Sequence, residues 1–403
     1  MIETTTPPPR ATATRLAQVD ALRGFALFGI LMVNITYMAS AYHGTGVEDP
    51  GFGGPLDELV RWLVAVFFEA KFFLLFSFLF GYSFTLQLAS AERGGARFVP
   101  RFLRRLTGLF AIGVVHAVVL FPGDILTTYA VLGLILLVLR GIRPRTAVRV
   151  AVTLFTVTSA GYMLLALATF RAGGGGINVV SVAAYAREAT EALRGGPASV
   201  IGAHLEQLPG MMFLLVFFQA PAALAAFLLG LAAGRHRTLA DTDRHRRILR
   251  RLQAWGFTLG LLGGIVYAHA GLRHPGSAYQ ILAMGLDVIS APLLAAAYAA
   301  AILRLAHGRH GHAVVAALAP AGRITLTNYL GQSLVGALLF TGFGAALAGR
   351  VSPAGVTAIA LALFALQAAG SRWWLRSHPY GPMEWLLRAW TTLSVPPWRG
   401  RAR

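Results

Sequence analysis

With 403 residues, 56% of them hydrophobic and only 13% charged, the chain is too apolar to be read as a set of soluble domains. Its net charge of +19 does not mark a nucleic-acid binder, because the arginines cluster between apolar runs, as topology signals do. The absence of cysteine excludes disulfides, thiolate chemistry and any cysteine metal site.

In chain order, residues 1–18 form a Pro/Thr-rich tail with Arg10 and Arg15, expected to be disordered. A first crossing is expected at 21–41; it lacks a small-residue cleavage site and is expected to be retained. A loop with Glu48 and Asp49 leads to a semi-amphipathic helix at 56–70 and a second crossing at 71–89. Further crossings are expected at 106–121, 124–139, 151–169, within 211–234, and at 255–270, 280–303, 324–343 and 356–374. A last semi-amphipathic helix is expected at 383–393. The loops after alternate crossings carry arginine (Arg93 to Arg105, Arg140 to Arg149, Arg235 to Arg251, with Arg244 among the last), and the intervening loops are short, acidic or Gly-rich. The fold class is therefore all-α and polytopic: about ten transmembrane helices forming one domain over 19–395, a basic tail at 396–403, and both termini cytoplasmic by the positive-inside rule. The location is a cell (cytoplasmic) membrane, where anionic lipid head groups are additional partners of the basic loops.

Polar side chains inside apolar helices are functional candidates by default, because each costs a few kcal/mol to insert. Asp20 and Arg23, three residues apart, share a helical face and can pair. Asn34 lies deep in the first crossing, and His43 falls where that helix leaves the bilayer. His116 and Asp124 flank the Pro122-Gly123 turn, close enough for a carboxylate to orient an imidazole; Asp124 capping its own helix is the competing reading. Lys71, the only lysine, reads as an interfacial anchor that snorkels. Thr325, Asn328 and Gln332 form a polar stripe that is either interhelical glue or part of a site. Glu384 and Arg388, four apart, suggest a helix ion pair. No metal site is expected: His307, Arg309, His310 and His312 have no carboxylate nearby, and Gly173 to Gly176 lacks the context of a phosphate loop.

These motifs resemble the YeiB-like family of bacterial integral membrane proteins, related to the lysosomal heparan-α-glucosaminide N-acetyltransferase. The resemblance rests on Asp20, Arg23, Gly24 and Asn34 followed by His43, on KFFLLFSFLFG from Lys71, on His116 with the Gly-Asp-Ile-Leu turn, on GRITLTNY from Gly322, and on YGPMEWLLRAW from Tyr380. It implies a transmembrane acyltransferase that takes an acyl group, acetyl in the related enzyme, from cytoplasmic acyl-CoA to an acceptor at the outer face. In that reading His43 is base or nucleophile, Asn34 stabilises the oxyanion, and His116 with Asp124 is a second candidate pair. Asp20, Arg23, Arg323 and Asn328 are the residues expected to bind acyl-CoA. The competing readings are a transporter or channel for a small or lipidic solute, with Asp287 or Asp124 coupling to protons, and a scaffold without chemistry. Acceptor identity and a homodimer are left open.

Overall fold

The computed structural model describes residues 9–47, 49–95, 97–239, 245–308 and 311–400. Residues 1–8 of the expected tail, Glu48, Arg244, Arg309, His310 and residues 401–403 lie outside the described residues. Among the described residues every regular element is helical. Helix α1 (Pro9–Ala39) begins well before the expected start, so residues 9–18, read as tail, belong to the helix that becomes the first crossing. Helices α2 (Pro55–Phe67) and α3 (Lys71–Arg93) follow, then the hairpin of α4 (Phe98–Val119) and α5 (Leu126–Val138). Helix α6 (Pro144–Arg171) leads to α7 (Val179–Arg194), α8 (Pro197–Leu214) and α9 (Ala220–Arg235). The remainder is α10 (Arg246–Arg273), α11 (Ala278–His307), α12 (Gly311–Arg323), α13 (Thr325–Phe340), α14 (Pro353–Trp374) and α15 (Pro382–Thr392).

Eight described helical runs are long and apolar enough to cross a bilayer, two of them 39-residue runs, Pro55–Arg93 and Pro197–Arg235, built from broken helices. The ten expected crossings correspond to these eight plus α5 and α13, and both of those are short for physical reasons. In α5 the helix starts two residues after Asp124, whose Oδ2 accepts from the Thr127 N–H in the first turn at 2.7 Å. In α13 the backbone breaks at Ile324 (φ −115°, ψ 49°), separating it from α12. Glu384 seals that break: its Oε1 accepts from the Leu326 and Thr327 N–H groups at 2.6 and 3.2 Å, and its Oε2 accepts from Thr327 Oγ1 at 2.6 Å. The anion thus serves a helix N-terminus in place of the expected ion pair with Arg388, which lies over the Tyr380 ring at 5.0 Å. Burial pushes the Glu384 carboxyl above its ordinary range, and the Thr327 and Leu326 hydrogen bonds oppose that push.

Helix α1 is the axis of the bundle and touches α3, α11, α12, α13 and α14. Its closest neighbour is α12, which it meets through glycine. A Cβ built on Gly322 would collide with the Asp20 carbonyl oxygen and lie 2.6 Å from the Gly24 nitrogen, backbone that has no room to yield. Gly322→Ala should therefore lower the thermal midpoint in detergent, an overpacking cost of about 1–3 kcal/mol. The control Gly370→Ala, where a Cβ meets nothing within 4 Å, should leave it unchanged or raise it slightly.

Candidate functional site

A cavity of about 630 Å³ opens at the end of the bundle opposite the arginine-rich helix ends. It lies among the corresponding ends of α1, α2, α3, α10 and α11, with α6 and the α8–α9 segment completing its wall. Asn34 and His43 both line it. Helix α1 stops at Ala39, and the chain turns back through Gly44 (φ +79°), a left-handed conformation that favours glycine. That turn sets the His43 ring edge-on against Tyr37, centroids 4.4 Å apart.

The partner of His43 comes from the break between α2 and α3. The Phe68 and Glu69 N–H groups both donate to the Val64 carbonyl, and Ala70 adopts φ +63°, a left-handed conformation costing about 1–2 kcal/mol for a residue with a Cβ. The break brings Glu69 into the cavity wall. Its Oε1 lies 3.3 Å from His43 Nε2, an ion-pair distance without the alignment of a hydrogen bond. Its Oε2 accepts from the Tyr267 hydroxyl at 3.0 Å. At that distance the carboxylate charge stabilises a protonated imidazole, and the other ring nitrogen, Nδ1, has no partner among the described residues. Asn34 likewise makes no side-chain hydrogen bond to a described residue, so its amide remains available to the cavity it lines.

The same break carries Lys71 inward and overturns its reading as a snorkelling anchor. Lys71 is fully buried, with Nζ 3.3 Å from both Asp287 oxygens and 5.1 Å from the Tyr267 ring centroid. Asp287, which lines the cavity, also accepts from Ser290 Oγ at 3.0 Å. The reason is local: a lysine at the first position of α3, after a left-handed residue, leaves the helix axis toward α11 and finds the one carboxylate there. One chain of groups therefore runs beside the cavity: His43, Glu69, Tyr267 and Asp287 line it, and Lys71 and Ser290 lie behind them.

The remaining expected residues lie away from the cavity. His116 and Asp124 do meet, Nδ1 to Oδ1 at 3.0 Å, but both are buried, and His116 Nε2 lies 2.8 Å from Ser333 Oγ on α13. Both readings of Asp124 hold at once, since its second oxygen caps α5. Asp20 and Arg23 pair at 2.6 Å, and Arg23 also donates to Ser83 Oγ at 2.7 Å, tying α1 to α3. Arg323 donates to the Pro379 carbonyl at 3.1 Å. Asn328 donates to Ala321 O and Ser371 Oγ, and Gln332 to Gln367 on α14, so that stripe is interhelical glue in this conformation. Arg105 on α4, read only as part of a basic loop, has a buried Nε with no partner among the described residues.

Glu69, Tyr267 and Asp287 were not candidates on sequence for the His43 site. The one available signal was an acidic residue two positions before the sole lysine, at the junction of two apolar helices.

Residues 233–394 match the family described as "Protein of unknown function (DUF418)". The chain is 33% identical over 404 residues to the uncharacterized protein YxaH of Bacillus subtilis (strain 168), covering 96% of this chain and 97% of that one. It is 28% identical over 397 residues to an uncharacterized 39.9 kDa protein in the amylase 3′ region of Bacillus acidopullulyticus, 95% of each chain. It is 27% identical over 401 residues to the uncharacterized protein YeiB of Escherichia coli (strain K12), covering 95% of this chain and 98% of that one. With a relative this similar over nearly the whole of both chains, and with the bundle and motifs described above, the chain belongs to the DUF418 family of YeiB-like membrane proteins.

Proposed function

We propose that the chain is a transmembrane acyltransferase, with acyl-CoA on the arginine-rich side as donor and an acceptor bound in the cavity at the opposite face. One observation carries the reading: an imidazole held by a carboxylate, itself held by a tyrosine, lines a cavity together with an unpartnered amide. His43 is the base that takes a proton from an acceptor hydroxyl or amine, or the nucleophile that carries the acyl group, and Glu69 fixes its orientation and stabilises the imidazolium. Asn34 supplies a donor to the oxyanion that forms at the thioester carbonyl. By the positive-inside rule the cavity faces outward and Arg23, Arg105 and Arg323 face the cytoplasm, where guanidinium groups suit CoA phosphates.

Neither Asp20 nor Arg23 lines the cavity. Between them stands an aromatic plug, with Phe72 stacked between Phe68 and Tyr298 at 5.4 Å each and edge-on to Phe25 at 5.1 Å. The reading therefore requires a second conformation in which Phe72 moves and the pantetheine arm passes between α1 and α3. Purified protein given acetyl-labelled acetyl-CoA should release free CoA and gain thermal stability in proportion to RT ln(1 + [L]/Kd). An unchanged midpoint at saturating acetyl-CoA together with no CoA release would overturn it.

A second reading, a transporter for a small or lipidic solute, draws on the buried Lys71–Asp287 pair, because an intramembrane carboxylate beside a cavity is the arrangement of a proton-coupling site. Solute accumulation in proteoliposomes, driven by a proton gradient and indifferent to acyl-CoA, would favour it.

A further inference from the structure

The cavity has two kinds of wall. Along α1, α2, α3 and α10 it presents Asn34, His43, Glu69 and Tyr267. Along α6 and the segment joining α8 to α9 it presents Leu165, Leu214 and Phe218, and two side chains with polar groups, Tyr162 and Gln219. Leu165 and Leu214 line the cavity and are 47% and 48% exposed. Their neighbours Leu164, Phe213 and Phe217 face outward and are more exposed still. The wall between cavity and bilayer is thus thin here: the cavity-lining Leu165, Leu214 and Phe218 each directly follow an exposed apolar residue in the chain.

The backbone explains the thin wall. Pro221 has no N–H for the Phe217 carbonyl, and its ring crowds that turn, so residues Leu215–Gln219 widen into a π turn. Pro209 interrupts the same run one and a half turns earlier. Helix α6 packs along α9 and α11, but it meets the π turn through a ring pair, Tyr162 on Phe218 at 5.1 Å. A seam closed by side chains opens by rotamer changes, whereas a seam closed by backbone does not.

We propose that this seam is a lateral portal, and that the acceptor is a membrane lipid of the outer leaflet whose head group carries a hydroxyl or amine. The head group lies against His43 and Asn34, and the acyl chains leave between Leu165 and Leu214 into the bilayer. The proposal rests on the acyltransferase reading above. In the step itself the head-group oxygen or nitrogen gives its proton to His43 and attacks the thioester carbonyl. The carbon–sulfur bond then breaks, and CoA thiolate takes the proton back from His43. The products are an acylated lipid and free CoA.

The test uses full-length protein in vesicles containing phosphatidylethanolamine with a diazirine in one acyl chain, photolysed without acyl-CoA and mapped by mass spectrometry. The proposal expects adducts on the cavity residues Phe218, Gln219 and Ala222 as well as on outward-facing Phe213 and Phe217. In the double variant L165W/L214W the inner adducts should be lost and the outer ones kept. Adducts confined to outward-facing residues in the native chain would overturn the proposal, whatever the variant does. A parallel incubation with labelled acetyl-CoA separates the two claims. Inner adducts without CoA release keep the lipid site and remove the acyltransferase reading. Acetyl transfer to a soluble amine, with CoA released and only outer adducts formed, keeps that reading and removes the lipid acceptor.

Discussion

His43→Ala should lower the rate of acyl transfer by about 10²–10⁴-fold, the usual contribution of a positioned general base, while leaving the thermal midpoint close to that of the native chain. The ring contributes little to the core: it sits in a surface turn, touches Tyr37 edge-on, and meets Glu69 without a formed hydrogen bond. Glu69→Gln should cost less, on the order of ten- to a hundredfold, because it removes the negative charge 3.3 Å from the imidazole and leaves the base in place. The loss should fall on kcat more than on KM, since the carboxylate acts on the imidazolium that exists only once the proton has moved. Steady-state CoA release by the three proteins, with circular dichroism to confirm folding, decides this. Undiminished turnover in His43→Ala would remove the base from the mechanism.

What could be read from the sequence, and what could not, follows the range of the interactions involved. Crossing helices announce themselves through local composition, so α3, α11 and α14 fall within four residues of their expected bounds, while α4 and α10 start eight and nine residues earlier than expected. The His116–Asp124 contact was also legible, because a tight turn between antiparallel helices brings residues eight apart together whatever the remainder of the chain does. Its third member, Ser333, arrives from a helix 217 residues away and left no trace. Resemblance selected Asn34 and His43, and the cavity unites them. The carboxylate that holds His43 depended on a left-handed Ala70, a conformation that residue type gives no reason to expect. The same hidden kink defeated the snorkelling reading of Lys71, since a lysine at a helix start near an interface normally reaches outward. The acyl-CoA residues remain the least legible part: Asn328 is engaged between helices, and Arg23 is held by Asp20 and Ser83 on the closed side of an aromatic plug.

The Lys71–Asp287 pair should give the largest stability effect of any substitution in the chain. Lys71→Met leaves the Asp287 carboxylate in the wall of an apolar bundle with only Ser290 to satisfy it, and breaking such a pair from one side costs about 3–5 kcal/mol. Asp287→Leu should be comparably damaging, since it strands an ammonium whose remaining contacts are the Ala65 carbonyl and the Tyr267 face. The double variant K71M/D287L removes both charges in similar volume, and should recover most of the loss or exceed the native midpoint, because two desolvated ions are replaced by apolar contact. With each single loss at about 3–5 kcal/mol and the double variant near native, a thermal double-mutant cycle in detergent expects a coupling energy of about 6–10 kcal/mol, well beyond the usual range for contacting residues. Additive losses would show that the two side chains do not depend on each other. The rescued protein also separates the two functional readings. Acyl transfer uses the pair only to hold Tyr267, and through it Glu69, so K71M/D287L should keep measurable turnover. Proton-coupled transport needs a titrating carboxylate at that depth, and K71M/D287L, folded and stable, should carry no proton-driven flux.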